Sequence, residues 1–207
     1  MNKVILARHA ESEFSARGAV NGDPGVRCPL TPRGRDQARR LGESLVADRI
    51  GLCVVTAFER TKETADVALN GRSVPRLILP ELNDPPLGKL EGGQLSDLRS
   101  WLRRNGPMQP VPGGGESRVE TVRRFRRGFR ILLERREEVL LVVAHGLGVT
   151  LAVRAARGLD LPLTLEDAQV APATAHPLRS EDLERVVRRL GEWLERLAHA
   201  EVRGSVP

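Results

Sequence analysis

An α/β fold, a three-layer sandwich with a mainly parallel sheet flanked by helices, is the class the sequence predicts, and three observations predict it. Short apolar runs at residues 4–7, 52–55 and 139–144 have strand length and read as strands buried on both faces. Segments with helical apolar spacing alternate with these runs, as they do when helices cover a parallel sheet. Clusters of Gly, Pro, Asn and Asp punctuate the two kinds of segment. A chain of 207 residues, 40% hydrophobic and 29% charged, has the composition of a globular protein and enough length for one substantial core. A single domain over residues 1–201 and a disordered tail over 202–207 are expected. Aromatic residues make up only 3%, with no Tyr, so that core must be aliphatic.

Taken in order, residues 4–7 form the first strand. A long loop follows over 12–30, marked by Gly18, Gly22, Pro24, Gly25 and Pro29. Thr31-Pro32 opens a helix, with Thr as N-cap and Pro in the first turn, where its missing N–H costs nothing. That helix runs to about residue 48 and puts Ala38, Leu41, Leu45 and Val46 on one face. Residues 52–55 form the second strand, 59–69 a helix and 76–79 the third strand. The stretch 80–93 is irregular. A helix over 95–103 leads into a Pro- and Gly-rich loop at 105–115, then a long basic amphipathic helix at 116–136. The strand at 139–144 precedes a helix at 147–157. Residues 169–170 and 174–176 are weak strand candidates, and 181–198 form a terminal helix.

The formal net charge is +6, carried almost wholly by Arg. The arginines are spread along helices and mixed with Glu, without interleaved aromatic residues for base stacking, which argues against a nucleic-acid partner. A basic surface would instead attract an anionic substrate. Cys28 and Cys53 have neither metal-ligand nor redox spacing and read as free thiols of a reducing compartment. Four apolar residues before Arg8 are too few for a signal peptide, and no run approaches the ~20 apolar residues of a membrane span. The expectation is a cytoplasmic protein with no membrane partner.

Three segments place reactive or cationic residues just after strands, where open α/β sheets bind ligands. Arg8-His9 follows the first strand, Arg60 lies in the first turn of the helix after the second, and His145-Gly146 follows the strand at 139–144. An Arg fork can clamp phosphoryl oxygens while an imidazole attacks phosphorus. Arg60 is unfavourable at a helix N-terminus, which hints at a nearby anion. Taken singly, each segment reads more simply as a surface arginine or a satisfied structural histidine. The loop from Glu81 to Gly92 adds carboxylates in irregular structure, where a general acid can reach a leaving group.

Together the segments resemble the histidine phosphatase superfamily, also called the phosphoglycerate mutase-like group, over residues 3–155. The matching pieces, in the family's order, are Arg8-His9 with Glu11-Ser12, Leu30-Thr31-Pro32-Arg33-Gly34 with Gln37-Ala38, and Arg60-Thr61 with Thr64-Ala65. Then come Gly88-Lys89-Leu90-Glu91-Gly92, Gly115-Glu116-Ser117 and His145-Gly146. The resemblance implies that His9 is the nucleophile that becomes phosphohistidine, its second nitrogen donating to a backbone carbonyl. It implies that Arg8, Arg60 and His145 bind the transferring phosphoryl group, with no metal and no cofactor required. The family's acid lies four residues before the loop glycine, which selects Asp84, with Glu81 as second choice and Glu91 as loop organiser. Ala10 stands where the family usually has Gly, and Leu90 where it has an aromatic residue. Ser15 stands where many members place an Asn on the phosphoryl group, and Asn21 is the substitute available from the same loop.

The expected function is a phosphatase that hydrolyses small phosphate monoesters. Pro85-Pro86-Leu87 replaces the arginine-histidine-tyrosine run of cofactor-dependent phosphoglycerate mutases, and the chain is short, so water should reach the phosphohistidine. Three alternatives remain open: such a mutase, a non-catalytic phosphoryl-binding regulatory module, and a nucleic-acid binder using the Arg-rich helix. The expected partner is a phosphorylated small molecule, with a homodimer one option for the assembly.

Overall fold

The computed structural model describes residues 1–161 and 170–202. Its five-stranded sheet contains β1 (Lys3–Arg8), β2 (Leu52–Val55), β3 (Arg76–Ile78), β4 (Val139–Ala144) and β5 (Ala175–Arg179), in the order β3-β2-β4-β1-β5. The first four are parallel and β5 runs antiparallel to β1. The expected sandwich with a mainly parallel sheet is present. β4 lies at the centre and pairs along its length with β1, from Lys3↔Val139 to Arg8↔Ala144. Its six apolar residues suit a strand covered on both faces.

Strand periodicity divides the core into two layers. Ile5, Ala7, Cys53, Val55, Leu141 and Val143 face α2 (Pro32–Ser44) and α3 (Glu59–Leu69), meeting Leu41, Leu45, Ala65 and Leu69. Val4, Leu6, Leu52, Val54, Leu140 and Val142 face α5 (Arg118–Leu133), α6 (Gly146–Ala156) and α7 (Ser180–Val202). Phe125, Phe129 and Trp193 are the aromatic residues of that second layer, and the other buried residues are aliphatic.

Thr31 caps α2 as its sequence dictates, its hydroxyl accepting from the Gly34 N–H at 3.0 Å. Gly34 is needed for close approach, since a Cβ there would lie 2.0 Å from the Glu11 carbonyl oxygen. Several boundaries differ from expectation. α2 ends at Ser44, which turns Val46 out to 82% exposure instead of onto the apolar face. The loop 12–30 contains one helical turn, α1 (Glu13–Ala16), nucleated by a capping box between Ser12 and Ser15. α4 (Leu95–Arg104) matches its expectation within a residue. α5 is shorter than 116–136, because Ser117 and Glu120 form a capping box that starts it at Arg118.

β5 is longer than the candidate at 174–176. Its edge position tolerates Pro177, and only Leu178 is buried, so it carries little strand signal. Val170 is not in a strand, and its expected partner position Gln169 lies outside the described residues. The tail expected at 202–207 also lies outside them, except Val202, which ends α7. Among the described residues no helix is long and apolar enough to cross a membrane.

The chain leaves β1 toward α2 on one face and leaves β4 toward α6 on the other. Neighbouring parallel strands whose connections diverge in this way open a crevice at their carboxyl ends, the switch point where α/β sheets bind ligands.

Candidate active site

Arg8 is the last residue of β1, and His9 follows it into the crevice, its N–H donating to the Ala144 carbonyl at 2.8 Å. His9 Nδ1 lies 2.7 Å from the Ala10 carbonyl oxygen and therefore carries the proton. Nε2 is left with its lone pair, which accepts from Arg60 Nε at 3.2 Å. Burial first, then the positive groups of Arg60, His145 and Arg8, hold the His9 pKa well below the usual histidine value. The ring is therefore a neutral imidazole with a fixed tautomer, as the sequence implied. Ala10 has no positive φ, so the usual glycine is dispensable there, and its N–H donates to Thr64 Oγ1 at 3.0 Å.

Arg60 enters from the first turn of α3 and is only 4% exposed. Nη1 donates to Asn21 Oδ1 at 2.6 Å, and Nη2 donates to the Asn21 carbonyl at 3.0 Å and to Asp84 Oδ2 at 2.9 Å. Its guanidinium also covers the Phe58 ring at 4.2 Å. The two protons of Nη2 are thus spent, and the 3.2 Å approach of His145 Nδ1 to that nitrogen is a contact, not a bond. His145 Nδ1 instead donates to Asp84 Oδ2 at 3.1 Å, while Nε2 accepts from the Thr56 hydroxyl at 2.9 Å. Burial lowers the fully buried His145, against the pull of the Asp84 carboxylate.

Asp84 comes from the irregular loop after β3. Burial acts to raise its pKa, but His145, Arg60 and His9 together hold it below the usual carboxylate range. Glu81 does not line the crevice; its backbone carbonyl accepts from Arg124 and its Cβ faces Gly128 on α5. Arg124 Nη1 also binds the Asn83 carbonyl at 2.9 Å, and Glu116 holds that guanidinium through both oxygens. Glu91 organises the loop as expected, accepting from the Gly22 N–H and the Leu87 N–H at 2.8 and 2.7 Å.

These groups line a cavity of about 220 Å³. Arg8, His9, Ser15, Asn21, Arg60 and Asp84 all border it, while His145 backs Asp84 from behind. Ser15 borders the cavity with its hydroxyl proton committed to the Ser12 carbonyl at 2.9 Å. Asn21 spends its amide on Arg60 and on the Asp23 carbonyl. Among the described residues Arg8 donates only to the Val170 carbonyl, at 3.3 Å, and its buried Nε has no partner. Burial lowers its pKa, opposed by Asp84. The cavity also takes in Arg99 and Arg118, which no sequence motif singled out. Thr56 and Arg124 were missed too, and Glu116 was matched to the family only as part of Gly115-Glu116-Ser117 without a role, because each acts by holding another group.

The sequence spacing implied no cluster of metal ligands, and the structure corrects that. His9, Asp84 and His145 bring three ligand atoms within 4.8 Å of one another. The Arg60 guanidinium lies among them, bonded to His9 and Asp84, and places a fixed positive charge where a cation would sit. The donor set therefore suits an anion better than a metal.

The family model for the histidine phosphatase superfamily, branch 1, matches residues 4–166. An adenosylcobalamin/alpha-ribazole phosphatase of Salmonella typhimurium is 35% identical over 96 residues, so the match spans 46% of this chain and about half, 46%, of that relative. A protein named probable phosphoglycerate mutase GpmB, of Photorhabdus laumondii, is 26% identical over 77% of this chain and 76% of its own. The crystal structure of the alpha-ribazole phosphatase from Shigella flexneri superimposes with a TM-score of 0.71 at 25% identity, over 84% of this chain and 89% of that one. The chain belongs to the histidine phosphatase superfamily, branch 1, and is an enzyme of the phosphatase, hydrolase type.

Proposed function

We propose that the protein hydrolyses phosphate monoesters of small molecules with an apolar body, through a phosphohistidine formed on His9. The observation that carries this reading is the state of His9: a neutral ring, its Nδ1 proton held by Ala10, its Nε2 lone pair facing a cationic cavity.

Nε2 attacks phosphorus as the bond to the ester oxygen breaks. Arg8, Arg60 and His145 offset charge on the phosphoryl oxygens in the transition state. Asp84 gives its proton to the departing alkoxide. In the free protein Asp84 is ionised, held by Arg60 and His145. Arrival of a phosphate dianion draws on Arg60 and sets negative charge beside the carboxylate; both effects raise its pKa, and Asp84 takes up from solvent the proton that it then delivers to the alkoxide. Water then attacks the phosphohistidine, Asp84 takes its proton, and phosphate and neutral His9 are released. The Ala10 carbonyl stabilises the positive charge the ring bears in the intermediate.

The apolar wall of the cavity, with Phe14, Leu95, Leu98, Leu102 and Leu147, favours an ester with an apolar body over a small glycerate. The test is a panel of phosphomonoesters that includes alpha-ribazole phosphate, for which two relatives are named, and 3-phosphoglycerate with and without a bisphosphoglycerate. Release of phosphate from apolar esters supports the reading. Isomerisation of phosphoglycerate that depends on bisphosphoglycerate would replace it with the mutase.

A further inference from the structure

We propose that the ester's leaving group carries a second anionic group, a carboxylate or a phosphate, bound by the guanidinium groups of Arg118 and Arg99. This rests on the phosphomonoesterase reading and narrows its substrate class.

Four arginines line the cavity: Arg8, Arg60, Arg99 and Arg118. The first two flank His9 and account for a phosphoryl dianion. Arg99 belongs to α4, whose Leu95, Leu98 and Leu102 supply apolar wall on the same helical face. Arg118 is the first residue of α5. In both, Nε is buried without a hydrogen-bond partner, and neither residue has an ion pair with a described residue. Arg8 Nε shares that state, so Arg99 and Arg118 have the character of a residue assigned to the phosphoryl site.

Among the described residues, the two carboxylates that line the cavity are already engaged. Asp84 is held by Arg60 and His145, and both oxygens of Glu116 accept from Arg124, with Thr121 adding a bond to Oε2 at 3.0 Å. Burial pulls Arg118 down to about 10, against the attraction of Asp84, so its charge is held in a poorly solvated place. A half-buried cation without a counter-ion among the described residues is costly, and an anionic ligand relieves that cost. Guanidinium forks match carboxylate and phosphate oxygens alike.

The experiment compares phenyl phosphate, 4-carboxyphenyl phosphate and 1,4-phenylene bisphosphate on the wild type and on Arg118→Gln, Arg118→Lys and Arg99→Gln. The readout is the ratio of kcat/KM for each ester with a second anionic group over phenyl phosphate, which cancels general damage to the catalytic centre. Losing a charge-assisted bond is expected to lower that ratio ~10–100-fold in Arg118→Gln. Arg99→Gln lowers it as well, and Arg118→Lys restores part of it. A fall confined to the carboxylate ester identifies a carboxylate as the second group, and a fall confined to the bisphosphate identifies a phosphate. A ratio unmoved in both glutamine variants, with their far-ultraviolet spectra native, overturns the proposal while leaving the hydrolase reading standing. If the wild type turns over none of the three yet binds the carboxyl ester more tightly than phenyl phosphate in an Arg118-dependent way by calorimetry, the anion subsite stands and the hydrolase reading fails.

Discussion

Replacing Asp84 by Asn removes the carboxylate's charge and its capacity to carry a proton, and keeps its shape. The amide oxygen can still accept from Arg60 and His145, which lie 2.9 and 3.1 Å from Asp84 Oδ2. Exchanging a charged acceptor for a neutral one costs about 1 kcal/mol of stability, at the lower end because the carboxylate is 25% exposed. That corresponds to a melting shift of about 2–4 °C in a chain of this size. The kinetic effect is larger. A general acid contributes ~10²–10⁴-fold, or about 2.7–5.4 kcal/mol of barrier at 1.36 kcal/mol per decade, when the leaving group is a poor one. Asp84→Asn should therefore lose that factor on alkyl phosphates and largely spare aryl phosphates, whose leaving groups need little protonation. Glu81→Gln should show no such split, because Glu81 points away from the cavity. The assay is kcat/KM against a graded series of leaving groups. Equal losses on alkyl and aryl esters, or the split appearing in Glu81→Gln, would refute the assignment of the acid.

Arg124 holds the Asp84 loop through the Glu81 and Asn83 carbonyls, so Arg124→Gln is expected to reduce alkyl phosphate hydrolysis about 10-fold and aryl hydrolysis less, within the ~10²-fold that a displacement of ~1 Å can cost. Loss on both ester classes alike would mean general unfolding. His9 and His145 are both held below the usual histidine pKa, so the stability they contribute is complete above ~6.5 and lost as pH falls and the unfolded chain takes up protons. Asp84 acts in the same direction below ~3.9. The melting temperature should fall from pH 7 to pH 5, and fall less in His9→Gln; a rise over that window contradicts the pKa directions. Chelators should leave turnover unchanged, since Arg60 stands within the only cluster of three metal-ligand side chains found among the described residues. Loss of activity in EDTA restored by a divalent ion would reverse that.

Much of the fold is legible because the central strands are apolar runs of fixed length. β2, β4 and α3 fall on the expected residues, each bounded by punctuation the backbone obeys. The start of α5 is written in Ser117-Arg118-Val119-Glu120, a capping box that outweighs the helix-forming Glu116 before it. β5 is poorly legible since an edge strand with Pro177 and one buried residue lacks alternation. In the site, Arg8, His9, Arg60 and His145 can be read because each directly follows a strand or opens a helix. The distance from Gly88 favours Asp84 over Glu81 as the acid, and of the two only Asp84 lines the cavity, while the Glu81 Cβ packs at Gly128. Arg99 and Arg118 could not be read, because only the folded chain brings α4 and the α5 start to the wall of one cavity.

The central claim is that phosphorus is carried on His9. Rapid quench of the wild type with a labelled monoester should trap phosphate on the protein in a form stable to base and labile to acid, mapped to His9. His9→Ala should fold, since the replacement opens no large apolar cavity, and should trap none. Label found on Ser12, Ser15 or Asp84, or turnover that persists in His9→Ala, would contradict the account.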